Sequence, residues 1–205
     1  MKRRVLSCVA FLLSFSSTVG SQEQPPSAQS AKRTQWTEDD RKELLTKAQR
    51  GDANSQMWLA AAYEQGWFGE KNYSEALKWF RKSAAKGNPD AQDSLGQMYE
   101  DGEGVKQSYV LAAKWYRKAA EHVPDLGGAG QGRNNLGLLY LDGRGVPRDY
   151  VQAYMWFRLS VGGTSKCGPR TSNLSSAAQR MTTAEIEEAE YRVKEWKVRH
   201  HDHQD

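Results

Sequence analysis

The stretch LGQMYEDGEGVKQSYVLAAKWYRKAA, residues 95–120, decides the fold, because the chain contains three versions of it. The others are LAAAYEQGWFGEKNYSEALKWFRKSA at 59–84 and LGLLYLDGRGVPRDYVQAYMWFRLSV at 136–161. The offset is 36 residues between the first two copies and 41 between the second and third. Leu59, Leu95 and Leu136 correspond, as do Tyr63, Tyr99 and Tyr140, and then Gly66, Gly102 and Gly143. Further along come Tyr73, Tyr109 and Tyr150, then Ala76, Ala112 and Ala153, then Trp79, Trp115 and Trp156. A period of this size marks a stacked architecture, in which one unit cannot bury its apolar face alone.

Each copy reads as two helices. Leu95 and Tyr99 stand four apart, on one helical face. A glycine at 66, 102 or 143 then stops the first helix in a left-handed conformation. The second helix starts near Tyr109 or Tyr150, and Tyr109, Ala112, Tyr116, Ala119 and Ala120 form its stripe. The alanines allow close approach of the paired helices, and Trp115 and its equivalents supply area for contact with the next repeat. The five extra residues of the longer offset fall in a loop around Asp125 to Gly132, which carries four glycines.

These residues resemble the Sel-one-like repeat, a relative of the tetratricopeptide repeat. Leu95-Gly96, Tyr99, Gly102-Glu103-Gly104-Val105, Ala112, Trp115-Tyr116 and Lys118-Ala119-Ala120 carry that family's pattern in full. The third copy keeps it through Trp156-Phe157 and ends in Leu159-Ser160-Val161. The first departs in its loop, where Trp67-Phe68-Gly69 stands for x-Gly-Val. The resemblance implies an all-α fold, a right-handed α-solenoid of helix-turn-helix repeats at about 52–87, 88–122 and 130–162.

Helical caps are expected on both sides. Thr37 to Arg50 reads as a cap helix, with Thr37 at its N-terminus and acids in its first turn. Leu44, Leu45 and Ala48 would dock on the first repeat. C-terminal helices are expected over about 172–199, with Thr182 and Glu185 as a capping box. Ile186, Ala189, Val193 and Trp196 share one apolar face there. Glu188–Arg192, Glu190–Lys194 and Glu195–Arg199 are spaced for ion pairs.

Residues 1–21 read as a secretory signal: Lys2, Arg3 and Arg4, an apolar run from Val5 to Phe15, and a small-residue cleavage pair at Val19 and Ser21. Val5-Leu6-Ser7-Cys8 loosely matches a lipoprotein box, but it precedes most of the apolar run. Residues 22–35 read as a flexible linker, 36–199 as the solenoid, and 200–205 as a His-rich tail. The expected destination is the periplasm or the exterior of a bacterium, with a eukaryotic secretory route as the alternative. Cleavage would remove three cations and lower the net charge from +4 to +1. That leaves no basic stripe for phosphates, so nucleic acid is not expected as a partner. Nor is a stable membrane anchor expected after cleavage.

The chain is 205 residues long with 38% hydrophobic residues, two cysteines and seven tryptophans. Its mean hydropathy of −0.81 excludes a multi-span membrane protein. The aromatic content argues against disorder, and two cysteines make no disulfide scaffold. No phosphate loop, zinc-protease motif or nucleophile elbow is present. No cofactor or catalytic residue is assigned. Cys167, alone after cleavage, is either a partly buried thiol or one that is reactive or pairs between chains. His200, His201 and His203 are weak candidates for a transition metal, against the plain reading of a solvated helix end. His122 reads as an exposed loop residue. Asn72 and Asn173 sit in glycosylation sequons, which matter only in a eukaryote.

The resemblance implies a non-enzymatic interaction module that holds a peptide or protein. In related solenoids the first helix of each repeat lines a concave surface, which points to Gln56, Met57, Gln92, Asp93, Gln97, Arg133, Asn134 and Leu138. The first copy adds a second candidate. Met57, Trp58, Trp67 and Phe68 replace small or polar residues of the other copies. They either pack against the cap helix and the Trp36 segment or form an exposed aromatic site. Cysteine-rich members of the family are described as β-lactamase-like, but this chain lacks their cysteine pairs. A metal-binding role for the tail is the remaining alternative.

Overall fold

The computed structural model describes residues 37–122, 128–161 and 169–201, except for the side chains of Pro169 and His201. The signal and linker segments, Trp36, Cys167 and His203 lie outside these residues. Among the described residues there are nine α-helices and no strand. They are α1 (Glu38–Gln49), α2 (Ala53–Gln65), α3 (Tyr73–Ala85), α4 (Pro89–Asp101) and α5 (Tyr109–Ala120). Then follow α6 (Gly128–Asp142), α7 (Tyr150–Val161), α8 (Pro169–Ala178) and α9 (Thr183–His201). Helices α2 and α3, α4 and α5, and α6 and α7 form the three hairpins, and each hairpin stacks on the next. The fold is an all-α helical-repeat solenoid.

The repeated residues set the helix boundaries. Gly66, Gly102 and Gly143 adopt φ of 75°, 75° and 70°, where a side chain would be strained. Asn72, Ser108 and Asp149 then accept the N–H of Glu75, Leu111 and Gln152 and start the second helices. The N–H groups of the same three residues donate to the carbonyls of Tyr63, Tyr99 and Tyr140, which closes each turn alike. The capping boxes at Thr37–Asp40 and Thr182–Glu185 are both formed.

The Leu-Gly pair has a packing cause. A Cβ on Gly137 would lie 2.6 Å from the Phe157 ring, and one on Gly96 would collide with the Tyr116 ring. Tyr116 and Phe157 are fully buried against these glycines. The close approach within these two hairpins therefore rests on glycine meeting an aromatic, besides the alanines. The second loop glycine acts between repeats: Gly104, at φ 69°, would place a Cβ 2.9 Å from the Tyr73 carbonyl oxygen. The expected loop at Asp125 to Gly132 is shorter than its glycines suggest, because α6 starts at Gly128. A Cβ at Gly132 would meet the Ala119 Cβ at 2.7 Å. Gly128 and Gly132 thus serve close helix packing rather than a loop.

The ends differ from the middle. Helix α8 follows α7 as a first helix would, but α9 lies along α7 and hardly touches α8. Ala189, Val193 and Trp196 are buried there, and Val193 and Trp196 join Met155, Trp156 and Leu159. Of the three expected ion pairs, Arg192–Glu188 forms at 2.8 Å. Glu190 instead receives the Tyr154 hydroxyl at 2.9 Å and pairs with Arg158 at 3.3 Å. Arg199 turns to the Glu195 carbonyl, while the Glu195 carboxylate receives the Tyr191 hydroxyl. Two intended surface pairs are thus displaced by contacts that α9 and the preceding hairpin provide.

Candidate functional site

The first helices α2, α4, α6 and α8 build one face, and the framework claims much of it. Gln56, Gln92 and Arg133 hold the same register in three copies, and all three are buried. Gln56 Nε2 donates to the Ala48 carbonyl at 2.9 Å, and Gln92 Nε2 to the Ala84 carbonyl at 3.2 Å. Arg133 Nε donates to the Ala120 carbonyl at 2.9 Å, and its Nη2 to that of His122 at 2.8 Å. Each satisfies the C-terminus of the preceding helix, whose last carbonyls lack intrahelical donors. The expectation that these three present themselves to a partner is corrected: they join one repeat to the next.

Asp93 is also buried. Its Oδ2 accepts from Gln97 Nε2 at 2.6 Å and its Oδ1 from Asn135 Nδ2 at 2.9 Å. Burial pushes its carboxyl up to about 7, helped by the like charges of Asp90 and Glu100 and opposed by the two amide donors. Asp93 therefore ties α4 to α6 and is not an open contact. Asn134, half-buried, accepts from Asn173 Nδ2 at 3.0 Å, which extends the tie to α8. Leu138 packs in a small cluster with Phe157 and Leu174. Gln97 alone of these candidates is exposed, with one amide hydrogen bond to Asp93.

The aromatic residues of the first copy divide. Met57 and Phe68 pack against the first core cluster, and Phe68 meets the Tyr63 ring edge-on at 6.2 Å. The Arg41 guanidinium of α1 lies 5.5 Å from the Phe68 centroid, so the cap helix does cover that residue. Trp67 remains 37% exposed and stacks on Trp58 with centroids 6.3 Å apart. The register of Trp58 carries Ser94 and Asn135 in the next copies, and that of Ala61 carries Gln97 and Leu138. The face thus varies between copies where the framework leaves it open. It is also acidic: besides the buried Asp93, α4 holds Asp90, Glu100 and Asp101, and neither α2 nor α4 holds a lysine or arginine. Burial raises the Glu64 and Asp101 carboxyls, and Glu103 raises both further.

His200 stacks on Trp196 at 4.0 Å, and its Nδ1 lies 2.7 Å from the Trp196 carbonyl oxygen. Among the described residues no His, Cys, Asp and Glu cluster is arranged for a metal ion. The side chains of His201 and His203 fall outside them. His122 is half-buried rather than freely exposed, and burial lowers its pKa.

A stack of helical hairpins with buried inter-repeat ties defines a repeat protein of the tetratricopeptide-like class. Three Sel1 repeats match at residues 53–88, 89–122 and 131–161, and the chain belongs to the Sel1-repeat family. A protective antigen of uropathogenic Escherichia coli with an SLR fold is 34% identical, with a TM-score of 0.70. The match covers 78% of this chain and 33% of that one. A Sel1 repeat protein from Oxalobacter formigenes is 32% identical, with a TM-score of 0.54, over 60% of this chain and 49% of that one. The chain thus spans about a third and about a half of the lengths of these two relatives. No curated protein matches it. Sel1 repeats are in general non-enzymatic modules of protein–protein interaction.

Proposed function

We propose that the chain is an exported, non-enzymatic adaptor that holds a peptide or protein segment on the α2–α4–α6–α8 face. One observation carries this reading: on that face the copies differ at two half-buried to exposed registers, while the ties beneath recur at one register. Trp58, Ser94 and Asn135 share one such register, and Ala61, Gln97 and Leu138 another. A stacked-repeat protein changes partner through such positions without changing its fold. The contact set narrows to Trp58, Trp67, Gln97 and Asn135. The absence of lysine and arginine from α2 and α4 favours a partner segment that brings its own positive charge.

The basic start and apolar run of residues 2–15 support export. Fusing residues 1–35 to a reporter active only outside the cytoplasm tests that step, and an inactive reporter removes it. For the binding face, a photo-crosslinker is placed at Gln97, with a control at Lys114 on α5. A protein captured from Gln97 and not from Lys114 is the expected result. Equal capture from both, or none, contradicts the reading.

A further inference from the structure

The second helices tell a different story from the first. Lys78, Arg81 and Lys82 of α3 and Lys114, Arg117 and Lys118 of α5 are all exposed. The net charge of the chain conceals this basic surface, because acids of α4 offset it in the total. The structure separates the two signs onto different helix layers. Among the described residues only one of the six cations, Lys78, meets a carboxylate, that of Glu75 at 3.4 Å. Arg81 and Arg117 donate to phenol hydroxyls, Tyr99 at 2.9 Å and Tyr140 at 2.6 Å. Lys82 and Lys118 lie over the rings of Trp79 and Trp115, at 4.0 and 4.6 Å from the centroids. Five of the six charges are therefore held by a neighbouring group, and all six are exposed. Glu75 and Glu121 are the acids of these two helices and their ends.

Two further features bear on what such a surface meets. Val110 is 65% exposed and Leu111 39% exposed, at the start of α5. Val110, Lys114 and Lys118 are spaced four apart, so they share one helix face. Beyond α5, Arg117 lines a cleft of about 370 Å³ shared with α7 and α9, to which Arg192, Arg199 and His200 also contribute. Glu121 and Glu195 are the carboxylates of that cleft. Exposed aliphatic side chains among ammonium groups on long apolar stems are the chemistry of a bilayer interface. Nucleic acid would leave the two aliphatics without an apolar partner.

We propose that the outer face of α3 and α5 docks on an anionic phospholipid surface, with the arginine-lined cleft beside it taking a headgroup. The contact is peripheral, since no described helix is long and apolar enough to cross a membrane. It leaves the α2–α4–α6–α8 face open and does not depend on that face having a partner.

The test uses the full chain and sedimentation with vesicles of phosphatidylcholine, with and without phosphatidylglycerol. The chain is expected to favour the anionic vesicles, and concentrated salt is expected to release it. The variant K78Q/K82Q/K114Q/K118Q is expected to lower anionic-vesicle partitioning by roughly a hundred-fold. The apolar N-terminus is common to both chains and cancels in that ratio. Far-UV circular dichroism checks that the variant keeps its helices. A second variant, Val110→Ser with Leu111→Ser, is expected to lose several-fold while keeping the salt dependence. Equal partitioning of wild type and the quadruple variant overturns the proposal. So does indifference to phosphatidylglycerol, or tighter binding to duplex DNA than to the vesicles.

Discussion

Helices α5 and α7 occupy the same place in successive repeats, yet one outer face is open and the other is covered. On α5 the outward registers carry Lys114 and Lys118, as α3 carries Lys78 and Lys82. On α7 the same registers carry Met155 and Leu159. There α9 lies across the face, with Val193 and Trp196 joining Met155, Trp156 and Leu159 in one cluster. The tryptophan shared by the repeats is treated accordingly. Trp79 and Trp115 have a lysine over the ring, whereas Trp156 meets the edge of Trp196 at 6.5 Å. The repeat framework is thus indifferent to what lies outside it. Two residues per repeat decide whether a second helix faces water or another helix.

The largest effect should come from breaking the covered side. Trp196→Ala removes an aromatic wedged against Trp156 and the Arg133 guanidinium, the latter 4.7 Å from its centroid. Calorimetry or urea unfolding should show a loss of about 4 kcal/mol. Lys118→Ala on the open side should cost only about 0.5 kcal/mol, the worth of an exposed cation–π contact. Gly96→Leu tests the framework that both sides share. It forces a side chain into the Tyr116 ring, and about 3 kcal/mol should be lost by the same measurement.

A smaller effect separates stability from pH. The Asp93 carboxyl titrates near 7 when folded and near its ordinary 3.8 when unfolded. The folded state holds the proton more tightly, so this group favours folding at low pH. That advantage declines as pH rises from about 4 and is gone above about 7. Asp93→Asn keeps an acceptor for Asn135 and removes the charge. It should be more stable than wild type by about 1–3 kcal/mol at pH 8, and similar at pH 4. The smallest change is Tyr140→Phe, which deletes the acceptor of Arg117 between repeats. It should cost about 1 kcal/mol.

What the sequence discloses follows from which groups do the work. The hairpins are legible because side chains define them: the glycine stops, the cap residues and the aromatic stripe recur in register. The roles of Gln56, Gln92 and Arg133 are hidden because their partners are backbone carbonyls, which carry no sequence signature. The sequence does carry a trace of them. Those three share a register, and the Ala48, Ala84 and Ala120 carbonyls that receive them recur every 36 residues. Ala48 of α1 thus receives the first repeat as the ends of α3 and α5 receive the next ones. The basic face is hidden because a net charge sums over layers that the fold separates. The course of α9 along α7 was foreshadowed by Met155 and Leu159, but only comparison with Lys114 and Lys118 gives those residues meaning.

The most direct test converts the covered face into an open one. In a Met155→Lys, Leu159→Lys variant, hydrogen exchange is followed helix by helix. The amides of α9 are expected to lose their protection while those of α2 to α6 keep theirs. Protection of α9 equal to wild type would contradict it, since two lysines would then be compatible with a covered helix.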